Sequence, residues 1–354
     1  MVVRVEHGAG TYRVVTSPGL AGLGEAAREV VREGRCVVVS DTTVGPLWMD
    51  AVVSELRRAG FSAHTLQIPA GEPHKHMATW SDLVDALLGL GLDRQTPIFA
   101  LGGGVVGDVV GFAAASVLRG VPFIQVPTTT LAMIDSSVGG KTGVNHSRGK
   151  NLIGAFYAPM LVWAGLNTLT TLDPRARAAG LAEAVKAALL DDAALFAWME
   201  ANAGPLAEGQ PGALAHVITA AVRVKARVVA EDERERGRRA LLNLGHTVGH
   251  AVERVAGFGT LLHGEAVAVG MAAELRWMAA EGVCAEALVE RVCSLCTRLG
   301  LPVVVPDLDP ASLRDAMELD KKRTGARLSL PVVSAAGRSS LMSLPVHRLS
   351  ELLS

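Results

Sequence analysis

Disulfides, an excess of one charge, long apolar runs and internal repeats are all missing from this chain, and each absence excludes a class of protein. Four cysteines are present, Cys36, Cys284, Cys293 and Cys296, too few and too scattered for a disulfide framework. Cys293-Ser294-Leu295-Cys296 has the C-x-x-C form of a redox or zinc motif, but it lies in an amphipathic stretch with no second pair, so it is read as buried helix cysteines without a function. The 34 Lys+Arg balance 35 Asp+Glu to a net charge of -1, which leaves no global field to attract nucleic acid or an anionic membrane. No apolar run approaches the roughly 18 residues of a membrane span, and the N-terminus lacks a charged start followed by an apolar stretch. A soluble, cytoplasmic protein is expected, and anion binding in it must be local.

What is present in quantity is apolar material, 49% of 354 residues, enough for two domains with real cores. The first half alternates short β-branched runs with helical stretches, the pattern of a parallel sheet with helices on both faces. Strands are predicted at 35–41, 64–68, 97–101 and 123–127, with helices at 47–59, 77–90 and 108–118. From about Leu172 alanine-rich, charge-laced segments take over, and β-branched runs become sparse before Val332. Pro174 marks a helix start, and helices are predicted at 175–190, 193–203, 211–230, 247–255, 264–281, 285–299 and 309–319. The reading is therefore an α/β domain over 1–171 followed by a mostly α-helical domain over 172–354. The mixed-charge run from Glu231 to Arg239 is read mainly as a solvated helix end or loop.

Three motifs carry chemistry. Gly102-Gly103-Gly104-Val105-Val106-Gly107 fits G-x-G-x-x-G after a predicted strand and before a helix, where free N–H groups and the helix dipole favour a pyrophosphate. The frame is atypical for a dinucleotide, because the turn does not follow the first strand and no acid stands about 20 residues on. Asp41, ending an earlier strand, is the alternative ribose partner. Gly139-Gly140-Lys141-Thr142 resembles the tail of a P-loop, but Asp135 replaces its leading glycine, which disfavours ATP hydrolysis. The third motif, Asn243-Leu244-Gly245-His246-Thr247-Val248-Gly249-His250, sets two imidazoles four residues apart on one helix face and is followed by His263-Gly264-Glu265. Three histidines within eighteen residues point to a metal. Thr247 stands where H-E-x-x-H needs glutamate, so a zinc protease is excluded. Glu183 is the natural carboxylate ligand, and spacing alone equally permits a helix-surface glutamate paired with Lys186 at i+3.

Taken together, 102–108, 127–145, 149–156, 182–186, 243–250, 263–265 and Asp320-Lys321-Lys322 resemble the 3-dehydroquinate synthase family, in the order expected for it, from about Asp41 to Lys322. The resemblance implies a Rossmann-like N-terminal NAD-binding domain, a helical C-terminal domain for metal and substrate, an active site between them and a homodimer. It implies Glu183, His246 and His263 as ligands of a divalent metal, zinc or cobalt. NAD would be held by Asp41, Glu72, Lys75, Gly103, Gly104, Val105, Asp108, Thr128, Thr129 and Lys150. A phosphorylated sugar-acid substrate would meet Asp135, Lys141, Asn151, Lys186, Lys225, Arg239, Asn243 and His250, with Arg119 reaching its phosphate from the partner subunit and one of Lys321 and Lys322 also in contact. The reaction implied is oxidation of the substrate by NAD, phosphate elimination, return of the hydride, ring opening and an intramolecular aldol closure. Rival readings are a sister cyclase acting on another sugar phosphate, a metal-dependent polyol dehydrogenase that releases NADH, and a catalytically dead NAD-binding scaffold.

Overall fold

The computed structural model describes residues 1–257, 259–321 and 327–353, excluding the side chains of 318–321. The chain forms two compact units, Met1–Leu172 and Asp173–Ser354. Among the described residues no helix is long and apolar enough to cross a membrane.

The first unit is a seven-stranded sheet in the order β1-β2-β9-β6-β5-β3-β4. Its strands are β1 (Val2–His7), β2 (Gly10–Ser17), β3 (Arg35–Asp41), β4 (Ser62–Ile68), β5 (Ile98–Gly102), β6 (Phe123–Pro127) and β9 (Leu161–Gly165). All pairings are parallel except the β1–β2 hairpin. The helices are α1 (Leu23–Arg28), α2 (Gly45–Arg58), α3 (Met77–Gly89) and α4 (Gly104–Ser116). Strands β3 and β5 are buried on both faces, as a helix-covered parallel sheet requires. Cys36, Val38, Phe99 and Leu101 join the core under α1 and α2. Val37, Val39, Ile98 and Ala100 join the one under α3 and α4.

The strand order fixes where a ligand can enter. From β3 the chain moves outward to β4, then returns across β3 to β5 and continues the other way to β6. The direction therefore reverses between β3 and β5, and the crevice beyond the carboxyl ends of two such strands is the ligand position of open α/β sheets. Asp41 ends β3, and Gly102 ends β5 and leads directly into α4. Helix α4 begins four residues before the predicted start at Asp108, because the glycines themselves form its first turn. Two hairpins escaped the sequence reading in this unit: β1–β2, and a separate two-stranded sheet of β7 (Lys141–His146) and β8 (Gly149–Phe156).

The second unit contains α5 (Pro174–Asp191), α6 (Ala193–Ala201), α7 (Ala203–Ala207), α8 (Pro211–Glu231), α9 (His246–Ala256), α10 (His263–Ala280), α11 (Glu286–Arg298) and α12 (Pro310–Lys321). Pro174 opens α5, and the Asp173 carboxylate accepts from the Arg175 and Ala176 N–H groups as its cap. The predicted helix 193–203 is two helices, broken at Asn202. A hairpin of β10 (Arg327–Ala335) and β11 (Arg338–Pro345) closes the unit. Cys296 is buried in α11 and burial pushes its thiol up to about 12, as the reading of the pair expects, whereas Cys293 is half-buried; all four cysteines are free.

Candidate metal centre and ligand sites

Helix α10 is approached by α5 and α9 more closely than side chains would permit, and glycine supplies the room. A Cβ at Gly264 would lie 1.7 Å from the Ala179 carbonyl oxygen on α5, and one at Gly270 1.9 Å from the Gly245 carbonyl oxygen at the start of α9. No side chain fits at either crossing. Gly245 also takes a φ of 78° as the residue before α9, a left-handed conformation that favours glycine. The opening of α10 is held further by Glu265, which accepts from the Leu262 N–H at 2.8 Å and receives the Arg175 guanidinium at 2.6 and 2.8 Å. The start of α9 is held by Glu274 of α10, a fully buried carboxylate that accepts from the N–H groups of Gly245, Thr247 and Val248.

These crossings bring Glu183 of α5, His246 of α9 and His263 of α10 together. Their donor atoms lie within 4.8 Å of one another, and the Glu183 Oε1 is 3.9 Å from the Nε2 of each imidazole. A tetrahedral ion with bonds of about 2.1 Å holds neighbouring ligands roughly 3.4 Å apart, about 0.5 Å less than the two Glu183–imidazole separations. Glu183 is buried, and apart from the Lys186 ion pair its oxygens have no hydrogen-bond partner among the described residues. The Oε1, which faces both imidazoles, is the acceptor left for a cation. The Lys186 Nζ makes an ion pair with the Oε2, and both residues are buried. The i+3 pair allowed by the sequence therefore exists, in the interior instead of on a surface.

The imidazoles are arranged as ligands. His246 lies 3.1 Å by its Nδ1 from the Leu244 carbonyl, an acceptor only, so Nδ1 carries the proton and Nε2 offers its lone pair toward Glu183. Burial, followed by the charges of Lys186, His250 and His263, holds the His246 pKa well below the usual histidine range, which favours the neutral form that binds metals. His263 is shifted upward: burial opposes its charge, but the hydrogen bond and charge of Glu253 and the charge of Glu183 outweigh it.

The remaining second-unit candidates surround α9 and α8. His250 stands one turn beyond His246, with ring centroids 5.1 Å apart. Lys225 is buried on α8, and Arg239 is buried in the short helix Arg238–Asn243. The charge run before it, read as mainly solvated, contains a structural hub: Asp232 accepts from the N–H groups of Arg236, Gly237 and Arg239 at 2.9, 2.7 and 3.0 Å. The Arg239 guanidinium donates to the Glu233 carbonyl, and the Asn243 amide donates to Glu235 at 2.6 Å. Glu235 has a φ of 56°, an uncommon conformation for a glutamate. Sequence reasoning missed Asp232, Glu235, Glu253 and Glu274. Of these Glu253 was detectable, since it follows His246 by seven residues and His250 by three on one helix face. Lys322 lies outside the described residues, and the Lys321 side chain likewise.

In the first unit the candidates other than Arg119 lie at the carboxyl ends of the sheet strands and on the β7–β8 hairpin, whereas Arg119 lies between the end of α4 and the start of β6. The Asp41 Oδ1 accepts from Thr43 and Val44 N–H at 2.8 and 2.7 Å. Gly103 caps α4, whose first turn holds Gly104 and Val105. Side chains at Gly103 and Gly104 would crowd Thr129 and Ser136, at 3.2 and 3.0 Å. Thr128 follows β6, and its hydroxyl is buried without a hydrogen-bond partner among the described residues; the Thr129 hydroxyl accepts from Ala132 N–H at 3.1 Å. Lys75 is buried against Asp108 at 2.5 Å. Asn145, absent from the predicted set, ties this group together: its amide donates to Glu72 at 2.7 Å, and its oxygen accepts from Asn151 N–H at 2.9 Å. Asn151 has a φ of 53° and lies beside Lys150 on β8. Asp135 sits in a π-helical turn over Ala132–Ser136, a rare geometry often found at functional sites. Lys141 opens β7. Arg119 is exposed, and it and Leu118 are consecutive left-handed residues with φ of 64° and 51°.

The chain is similar to known proteins over most of its length. Residues 65–179 match the family profile 3-dehydroquinate synthase N-terminal, and residues 180–323 match 3-dehydroquinate synthase C-terminal. A 3-dehydroquinate synthase of Pelobacter propionicus is 47% identical over 322 residues, 91% of this chain and 90% of that one. Among solved structures, the 2-epi-5-epi-valiolone synthase of Streptomyces hygroscopicus subsp. jinggangensis 5008, with NAD+ and Zn2+ bound, is 33% identical with a TM-score of 0.89, covering 97% of this chain and 95% of its own. A 2-deoxy-scyllo-inosose synthase complexed with carbaglucose-6-phosphate, NAD+ and Co2+ is 27% identical with a TM-score of 0.89, covering 100% and 99%. The chain belongs to the 3-dehydroquinate synthase family.

Proposed function

We propose that this protein converts 3-deoxy-D-arabino-heptulosonate 7-phosphate to 3-dehydroquinate and phosphate, using NAD and a divalent metal, zinc or cobalt, as a cytoplasmic homodimer. The observation that carries the reading is the Glu183–His246–His263 cluster, with its buried carboxylate and a His246 held toward its neutral form, in a chain of this family. When bound, the metal supplies Lewis acidity to substrate hydroxyls, and NAD supplies a reversible hydride acceptor.

The protein's own groups are assigned by chemistry. Asp41, the Gly103–Val105 turn, Thr128 and Thr129 frame the strand ends where a dinucleotide would lie. The free N–H groups of the first turn of α4 suit its pyrophosphate. The hydrogen-bonded set Glu72, Lys75 and Asp108, with Lys150, completes the proposed NAD contacts. For the substrate, Lys186, Lys225, Arg239, Asn243 and His250 are the second unit's proposed contacts. Asp135, Lys141 and Asn151 are the first unit's, and Arg119 serves from the partner subunit. Most are cations or amide donors, which suits a substrate carrying carboxylate and phosphate and a reaction that generates an enolate. Lys186 pairs with the Glu183 Oε2, and the Oε1 faces both imidazoles.

The test is incubation with the heptulosonate phosphate, NAD and zinc, following phosphate release and the carbocyclic product. Both should appear together. Inertness toward this substrate alongside turnover of a different sugar phosphate would assign the chain to the chemistry of the sister cyclases.

A further inference from the structure

We infer that Glu253 is the positioning residue of the metal centre, holding the His263 imidazole so that Nε2 faces the ion beside Glu183. The inference rests on the metal-centre reading above. His263 is the first residue of α10, where the imidazole can turn about its last torsion and present either nitrogen. Its Nδ1 lies 3.3 Å from the Glu253 Oε2, while its Nε2 lies 3.9 Å from the Glu183 Oε1. An ionised carboxylate only accepts, so the Nδ1 proton points at Glu253 and the Nε2 lone pair is the one available to an ion. Glu253 is itself 5% exposed, and an interior carboxylate is costly unless engaged.

The other ligand imidazole shows the same device in a different material. The Nδ1 of His246 is fixed at 3.1 Å by the Leu244 backbone carbonyl, which no substitution removes; the corresponding acceptor for His263 is a side chain, so its contribution can be measured. Carboxylate–imidazole–metal relays raise ligand basicity as well as fixing orientation. The donor atoms of His250, Glu253 and His263 also lie within 4.8 Å of one another, so the competing assignment is Glu253 as a direct ligand of a second ion. The ring arrangement favours orientation, because His263 has one nitrogen for each carboxylate and the Nε2 is committed to the Glu183 side.

The experiment is metal binding by the full-length protein, stripped of metal and titrated with Co2+, with affinity taken from chelator competition and geometry from the visible absorption bands. Neither readout needs substrate or turnover. Glu253→Ala should bind one Co2+ per chain about 10- to 100-fold more weakly, the usual loss for such a partner, with altered bands. Glu253→Gln, nearly isosteric and still able to accept through its amide oxygen, should recover part of the affinity and the native bands, and it guards against misfolding in the alanine variant. Binding by both variants within twofold of wild type, while His263→Ala loses the metal, would overturn the inference and leave the metal-centre reading standing. Two equivalents of Co2+ in wild type and one in Glu253→Ala would make Glu253 a ligand and overturn it as well. Unchanged binding in His263→Ala would sink both.

Discussion

A methyl group added at Gly264 should disable the metal centre without touching any proposed ligand. In Gly264→Ala the new Cβ would sit 1.7 Å from the Ala179 carbonyl oxygen and 2.5 Å from the carbonyl carbon. A carbon–oxygen contact normally lies near 3.3 Å, so α10 must retreat from α5 by roughly 1.6 Å at this point. Ala179 precedes Glu183 by one turn of α5, and Gly264 is adjacent to His263, so the retreat acts directly on the 3.9 Å between the Glu183 Oε1 and the His263 Nε2. Metal–ligand distances tolerate only about 0.2 Å, several times less than the displacement. The overpacking itself should cost about 1–3 kcal/mol or more, against a helix-propensity gain of about 1 kcal/mol. The control is Gly212→Ala in the first turn of α8, where a Cβ would meet nothing within 4 Å and only the propensity gain should appear. Thermal unfolding and zinc competition titration of the three proteins would decide. Gly264→Ala should unfold earlier and bind zinc at least tenfold more weakly than wild type, and Gly212→Ala should do neither. Zinc affinity in Gly264→Ala equal to wild type would refute the claim that close helix crossing builds the site.

Three further outcomes are expected. His263→Ala should lose metal content and activity in parallel, and a variant with normal zinc and normal turnover would remove His263 from the ligand set. Turnover should leave almost no net NADH at 340 nm on the order of one equivalent of enzyme, because the hydride returns to the intermediate; build-up in step with product would indicate a dehydrogenase. The three backbone N–H groups on Asp232 outweigh the opposing effect of burial and hold its carboxyl below the usual range. A folded pKa below the unfolded value of about 3.9 stabilises above that pH and is lost as pH falls through the folded pKa. The stability gap between wild type and Asp232→Asn in denaturant titrations should therefore hold at neutral pH and shrink below about pH 4; a gap of constant size would contradict this.

The alternation of buried strands and helices in the first unit was legible because β3, β5 and β6 are near-continuous apolar runs bounded by turn residues. The hairpins were not. Strands β7 and β8 contain Gly143, Gly149 and Gly154, carry exposed Leu152 and Phe156, and form a sheet of their own, so neither alternation nor an apolar run announces them. The metal cluster could be read from His246, His250 and His263 because imidazoles are scarce in the chain. Spacing left Glu183 ambiguous, since an i+3 lysine looks the same on a surface and in a core. That Gly264 and Gly270 admit neighbouring helix backbones is a tertiary fact with no local signature. Glu274 illustrates the same limit, since the helix end it caps belongs to another element 26 to 29 residues away.

Zinc located by anomalous scattering in a crystal of the protein soaked with the metal tests the central claim most directly. The account predicts one strong site in the second unit, about 2.0–2.2 Å from a Glu183 carboxylate oxygen and from the Nε2 atoms of His246 and His263. A peak that avoids these three atoms, or a cluster that stays without metal while zinc binds elsewhere, would contradict it.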